Sequence, residues 1–280
     1  MSADGRAAAP PRALAPQPRA DGHARVSARL RDGRSRLCDL FERGSAKARV
    51  PNAYGPALDA VFLNTAGGVT GGDRFRYEAT AEAGATLTVS TQAAERGYRA
   101  QPGETGRIET RLRIAPGARL DWLPQETILF DRSALHRRIE IAMAEDATLL
   151  FLEPVVFGRE AMGETVTQAA FRDSQRLRRG GRLVYADSTR VEGPVAEILA
   201  RPACLAGARA YATLIYAAPD AESRLTEARD LLRGAEAGAS AFDGLISARI
   251  VSPDGYALRR TLAHFLRGFR AAPLPRVWEM

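Results

Sequence analysis

GATLTVSTQ, residues 84–92, is echoed by GARLDWLPQ (117–125), DATLLFLEP (146–154) and GGRLVYADS (180–188). In each, a turn residue leads to a leucine (Leu87, Leu120, Leu149, Leu183) and, two positions on, to a large or β-branched apolar residue (Val89, Trp122, Phe151, Tyr185). An i, i+2 pair sends both side chains to one face of a strand, and Gly or Asp suits a turn where φ is positive. The leucines fall 33, 29 and 34 residues apart. A strand-borne period of about 30 residues predicts a mainly β fold of stacked strand or hairpin repeats, a β-layer or β-helix-like body, rather than alternating βαβ units. A frequent turn-to-strand transition leaves the same trace. Burial separates the two: the repeat expects all four leucines inside and fails if two are exposed.

Working outward, RIETRLRI (107–114) reads as a partner strand with Ile108, Leu112 and Ile114 on one parity. The pattern changes near residue 216. ARAYATLIYA is a strand, and Asp220 is placed to cap a helix over 220–236 carrying Leu225, Leu231 and Leu232. GLISARIVS is a second strand, and YALRRTLAHFLRGFR a second helix over 256–270 with Leu258, Leu262, Phe265, Leu266 and Phe269 at helical spacing. At the other end, residues 1–24 are Ala, Pro and Arg with almost no large apolar side chains, too little to offset the entropy of ordering. The sequence therefore predicts a disordered tail over 1–24 and a single domain over 25–280, with a β-rich body over 25–215 and a smaller β-α-β-α section over 216–280.

The chain has 280 residues, 45% of them hydrophobic, an ordinary content for a soluble globular protein. No apolar run reaches the roughly 18 residues that span a bilayer, and the N-terminus lacks a signal-peptide core, so a cytoplasmic protein with no membrane contact is expected. Cys38 and Cys204 are far apart, with no metal-ligand spacing near either, and are expected to be free thiols. The net charge of +7 would suit a nucleic-acid binder, yet 39 of the 40 basic residues are arginine and they are scattered, with no basic block and no aromatic-basic pattern. That distribution argues against nucleic acid and fits a surface that docks an acidic protein, since complementary charge speeds encounter.

Four glycines in LNTAGGVTGGDRF, Gly67, Gly68, Gly71 and Gly72, suggest a phosphate cradle. No Lys-[Ser/Thr] follows, and the next residues alternate like a strand rather than opening a helix, so both nucleotide fingerprints fail. The glycines read as tight turns that deliver Asp73 to a strand end. Catalytic motifs are scarce: His23, His136 and His264 have no metal-site pattern near them, and no G-x-S-x-G elbow occurs. What remains is a set of polar residues at strand ends: Asp73, Thr91, Gln92, Gln125, Glu126, Glu153, Arg159 and Glu164. Stacked repeats would align Gln92 with Gln125 and Thr91 with Glu153. Such residues commonly cap turns or pair with arginine; in a line, they would form an oxygen-rich passage that a divalent cation follows without being held, with Asp73, Glu126 and Glu164 as weak transit ligands. A carboxylate-dependent hydrolase on the same scaffold, using Glu126, Glu153 and Glu164, is the alternative reading.

GGVTGGD at 67–73, STQAAERGYR at 90–99, WLPQETILF at 122–130, FGREAMGE at 157–164 and LPRVW at 274–278 resemble, in this order, the urease accessory protein UreD (UreH) family. The resemblance implies a mostly β fold and a non-catalytic maturation factor. Such a factor binds the urease apoprotein and scaffolds UreF and the GTPase UreG for nickel insertion. It would bind no cofactor tightly: Ni²⁺ would be in transit, GTP would belong to UreG, and a dimeric arrangement within the complex is compatible with it. The resemblance also implies an internal tunnel for nickel, and the polar line above maps onto the family's motifs at Asp73, Gln92, Glu126 and Glu164.

Overall fold

The computed structural model describes residues 18–51, 55–159 and 163–279. In chain order the strands are β1 (Asp21–Arg31), β2 (Arg34–Gly44), β3 (Ala46–Arg49), β4 (Leu58–Asn64), β5 (Arg74–Ala81), β6 (Thr86–Thr91), β7 (Glu95–Gly97), β8 (Gly106–Ile114), β9 (Arg119–Leu123), β10 (Thr127–Leu129), β11 (Ser133–Met143), β12 (Thr148–Phe157), β13 (Gln168–Arg179) and β14 (Arg182–Pro194). The helix α1 (Val195–Leu199) precedes β15 (Ala210–Ala217), α2 (Leu225–Leu231), β16 (Glu236–Phe242), β17 (Leu245–Ser252) and α3 (Gly255–Phe269). Strands account for 54% and helix for 13%, and the parallel strands stack into a β-solenoid of about 4 turns.

Each turn contributes one strand to each of two facing stacks. β1, β5, β8, β11 and β13 pair in parallel on one side. β4, β6, β9 and β12 pair in parallel on the other. β7 and β10 form a short third face that continues onto the far end of β12. The alternation read from the sequence is what fills the interior: β8 buries Ile108, Thr110, Leu112 and Ile114 and turns its arginines outward.

The repeat is carried by directly opposed leucines. Leu58 lies against Leu87, Leu87 against Leu120, and Leu120 against Leu149. The last three are fully buried and Leu58 nearly so. The expectation for Leu183 is corrected: it is 43% exposed. Single glycines, Gly84 and Gly117, turn the earlier corners, but before Leu183 two consecutive glycines, Gly180 and Gly181, both have positive φ (56° and 83°). Two positive-φ residues make a tight hairpin. The chain therefore doubles back as β14, antiparallel to β13, instead of advancing a turn, and a bulge beside Leu177 buries Val184 in place of Leu183.

The C-terminal section closes one end of the solenoid. β15 pairs antiparallel with β12, and β17 with β15, while α3 packs Leu258, Leu262, Phe265 and Phe269 into a second core over them. Asp254 caps α3 by accepting from Ala257 N at 2.7 Å. The long helix expected over 220–236 is corrected to a 3-10 turn at Glu222–Arg224 followed by the short α2. Gly234 at φ 85° ends it, and 236–242 pair with β17 as a strand. Asp220 does not cap that helix; its side chain accepts from the Tyr216 hydroxyl.

At the other end, β1 begins at Asp21, earlier than the boundary expected at Arg25, because Asp21 to Ala28 pair in parallel with β5. Residues 1–17 of the expected tail lie outside the described residues. Among the described residues no helix is long and apolar enough to cross a membrane. Cys38 and Cys204 are free and exposed.

Candidate functional site

The glycine-rich turn builds one wall of an interior cavity. Gly68 has no room for a side chain: a Cβ there would sit 2.3 Å from the Tyr98 ring and 2.6 Å from the Arg96 carbonyl oxygen. That close approach lets Val69 N donate to Arg96 O, and Tyr98 N to Val69 O, both at 2.7 Å, joining the turn to β7. Asn64 Nδ2 donates to Gly68 O at 3.0 Å and also to both carboxylate oxygens of Glu95, at 3.1 and 3.2 Å. The turn thus fixes the side chain that fixes Glu95.

The cavity holds about 240 Å³ and lies between the two stacks and the short third face. Gln92, Ala93 and Arg96, all exposed, stand at its rim; Tyr77, Thr110, Trp122, Gln125, Thr127, Arg137 and Glu153 are its buried lining. Glu95 is half-buried and lines the cavity. Burial pushes its carboxyl up to about 7, against the hydrogen bonds from Asn64 and the Arg96 amide.

Across the cavity, Arg137 bridges the stacks. Its guanidinium donates to Asp173 through two bonds, Nε to Oδ1 at 3.0 Å and Nη2 to Oδ2 at 2.6 Å. It also donates to Glu153 Oε2, while Trp122 Nε1 donates to Glu153 Oε1 at 2.7 Å. All three charged residues are at most 5% exposed. One buried cation faces two buried carboxylates, so burial raises the Glu153 carboxyl, Arg137 draws it back in part, and the Asp173 charge raises it further.

Of the residues singled out in the sequence, Gly67, Thr91, Gln92, Gln125 and Glu153 line this cavity. Thr91 Oγ1 accepts from Gln125 N at 2.8 Å, so the two lie on adjacent turns as the repeat requires. The others lie elsewhere. Asp73 is buried under the glycine turn and accepts from Ala20 N at 2.7 Å and Thr70 N at 2.8 Å, with Gly72 before it at φ 86° and Gly71 packed against Glu104. Glu126 turns toward Arg259 of α3 at 3.8 Å. Glu164 closes a corner by accepting from Asp131 N, Arg159 N and Arg159 Nε. Partial burial would raise its carboxyl, but the bonds from Arg159 and the Asp131 amide outweigh that and hold it below the ordinary range. Arg159 stacks on the Phe130 ring at 4.1 Å. Glu126, Glu153 and Glu164 therefore face three different surroundings.

The sequence reading missed Asn64, Glu95, Arg137 and Asp173. Arg137 and Asp173 sit at inward parity in β11 and β13, among Leu135, Ile139 and Phe171. A charge at a core-parity position is the signal that could have found them. Among the described residues no group of three or more His, Cys, Asp or Glu converges to hold a metal ion.

The family described as UreD urease accessory protein matches residues 20–279. A relative named urease accessory protein UreD from Azorhizobium caulinodans is 50% identical over 94% of this chain and 97% of its own length. One of the same name from Xanthobacter autotrophicus is 52% identical over 93% of this chain and 90% of its own, and one from a Methylobacterium strain 49% over 93% and 95%. The β-solenoid and a match that spans nearly all of it place this chain in the UreD family of urease accessory proteins.

Proposed function

We propose that this chain is a non-catalytic urease maturation factor: it binds the urease apoprotein, scaffolds UreF and UreG, and offers Ni²⁺ a passage through the solenoid. Family membership supports the role in urease maturation. The observation that supports a passage is the cavity, whose lining includes the carboxyl groups of Glu95 and Glu153 and the carboxamides of Gln92 and Gln125. Oxygen ligands without histidine or thiolate compete weakly for Ni²⁺, so an ion that enters is released again. Arg137 keeps its own charge compensated by Asp173 and Glu153, leaving Glu95 and the rim residue Arg96 as the remaining charged groups of the lining. Asp73, Glu126 and Glu164 serve in this reading as turn caps and arginine partners around the passage. The chain works in the cytoplasm, and GTP is bound by UreG.

The test is the nickel content of urease matured by co-expressed, assembled variants. Gln92→Trp fills the rim of the cavity and should lower nickel loading several-fold while the complex still assembles. Glu164→Ala, away from the cavity, should lower it little. Full loading with Gln92→Trp would leave the chain a scaffold only.

A further inference from the structure

The face of α3 turned away from the core carries Tyr256, Arg260, His264 and Arg267, all exposed. These residues recur at helical spacing along one ridge. They border an open groove of about 770 Å³ whose opposite wall is the turn after α2, with Arg233 and Gly234, and whose floor reaches Trp278. Arg233 is paired with Asp230 at 2.5 Å. Among the described residues neither Arg260 nor Arg267 has a carboxylate partner, and the Arg260 guanidinium rests 5.9 Å from the Tyr256 ring. Among the described residues Glu279 is the single acidic side chain lining the groove.

A groove so rich in arginine and aromatic side chains matches the composition of interface centres, and its charge selects an acidic occupant. The groove is also tied to the cavity. Arg259 lies in its floor, 5.2 Å from the Trp278 ring, and donates to Val277 O at 3.0 Å. Its Nη1 reaches through the wall to Gln125 Oε1. Gln125 lines the cavity and is 6% exposed, and its Nε2 is buried with no hydrogen-bond partner. Arg259 therefore sets how the amide stands: with Oε1 held, the donor end is left at the cavity wall.

We propose that the groove along α3 is the docking surface for a carboxylate-rich segment of a partner protein, and that Arg259 couples its occupation to the cavity. A carboxylate docked between Arg260 and Arg267 attracts the neighbouring Arg259 guanidinium and weakens its hold on Gln125. The Gln125 amide is then free to turn and present its oxygen to the cavity in place of its N–H. A donor at the wall repels a cation and an acceptor attracts one, so docking opens the cavity to cations. This consequence rests on the passage reading above; the docking and the turn of the amide do not.

The experiment uses the full chain and a fluorescein-labelled twelve-residue peptide with equal numbers of Glu and Leu, followed by anisotropy at physiological salt. Arg260→Ser combined with Arg267→Ser should weaken binding about tenfold, and the control pair Arg111→Ser and Arg113→Ser, exposed on the far stack, should leave it unchanged. Equal losses from both pairs, or no binding, overturn the docking surface. So does a twelve-nucleotide RNA that binds more tightly than the peptide and depends on the same arginines. For the coupling, the chain has two tryptophans, Trp278 in the groove and Trp122 in the cavity wall. In Trp278→Phe, saturating peptide should shift Trp122 emission, and adding Arg259→Met should abolish that shift while the peptide still binds. If Trp278→Phe does not fold, ¹⁹F NMR of the parent chain labelled with 5-fluorotryptophan resolves the two indoles. An unmoved Trp122 signal at saturation overturns the coupling. Neither readout involves nickel or urease, so the groove and the passage can fail separately.

Discussion

Glu95 makes the stability of this protein depend on pH in a direction opposite to most salt-bridged carboxylates. Its carboxyl is raised from the ordinary 4.5 to about 7 by burial beside the cavity. A folded-state value above the unfolded one means that the folded chain holds the proton more tightly. The resulting stabilisation is complete below about pH 4.5 and is lost as pH rises through 7. Each tenfold difference in proton affinity corresponds to about 1.4 kcal/mol, giving at most about 3 kcal/mol; water in the cavity screens the charge and reduces this to roughly 2 kcal/mol. Glu95→Gln keeps an oxygen for Asn64 and cannot ionise. At pH 4 the variant should match the parent. At pH 8 it should melt higher by roughly 4–8 °C, from about 2–4 °C per kcal/mol for a domain of this order of size. Thermal melts at the two pH values decide the matter. A variant less stable than the parent by the same amount at both would show that Glu95 is held as an ionised hydrogen-bond acceptor, and the argument from burial would be wrong.

Three further outcomes follow from the packing. Leu120→Ala, in the middle of the leucine stack, should cost about 3–4 kcal/mol in urea unfolding, whereas Leu183→Ala on the outer face of the hairpin should cost less than about 0.5 kcal/mol; similar losses would remove the distinction between stack and hairpin. Gly72→Ala should destabilise by about 1–2 kcal/mol, because its φ of 86° strains any side chain and a Cβ would meet Arg19 at 2.9 Å. Arg137→Met should cost about 3–5 kcal/mol at pH 7 by leaving Glu153 and Asp173 buried without their cation, and adding Glu153→Gln should restore part of that loss. No recovery in the double variant would mean that Arg137 acts through packing on Phe171 rather than through charge.

The stack was legible in the sequence because its signal is local. A glycine corner, a leucine and a second apolar residue two positions on lie within a few residues of each other, and the alternation in 107–114 is equally short-range. The parallel connectivity left a trace in the spacing of Leu87, Leu120 and Leu149. Leu183 misled because Gly180-Gly181 was read as one turn residue, while two positive-φ positions in succession impose a hairpin. Leu58 was overlooked although Gly55 precedes it at the spacing that separates Gly84 from Leu87, because Gly-Pro-Ala-Leu departs from the Gly-Ala-x-Leu pattern. The candidate site was half legible. Gln92, Gln125, Thr91 and Glu153 follow from register alone, and register is a property of the repeat. Asn64, Glu95, Arg137 and Asp173 come together only through contacts between turns, and the arginine-rich composition hid Arg137 among the many arginines that face solvent.

The antiparallel pairing of β15 with β12 has a consequence for synthesis on the ribosome. The inner turns stack as they emerge, because each strand needs only the strand one turn earlier. β12 is different: its second edge, along Leu149 to Val156, is covered by Ala210 to Ala217, which lie well downstream of it. At about 5–20 residues per second that edge stays uncovered for several seconds, with unpaired N–H and C=O groups flanked by eight buried-type residues in succession. An early stop or a stall between β12 and β15 would release a chain that has folded correctly as far as it goes and is nonetheless sticky. Slow codons placed after β15 would be harmless, and the same codons before it would favour aggregation.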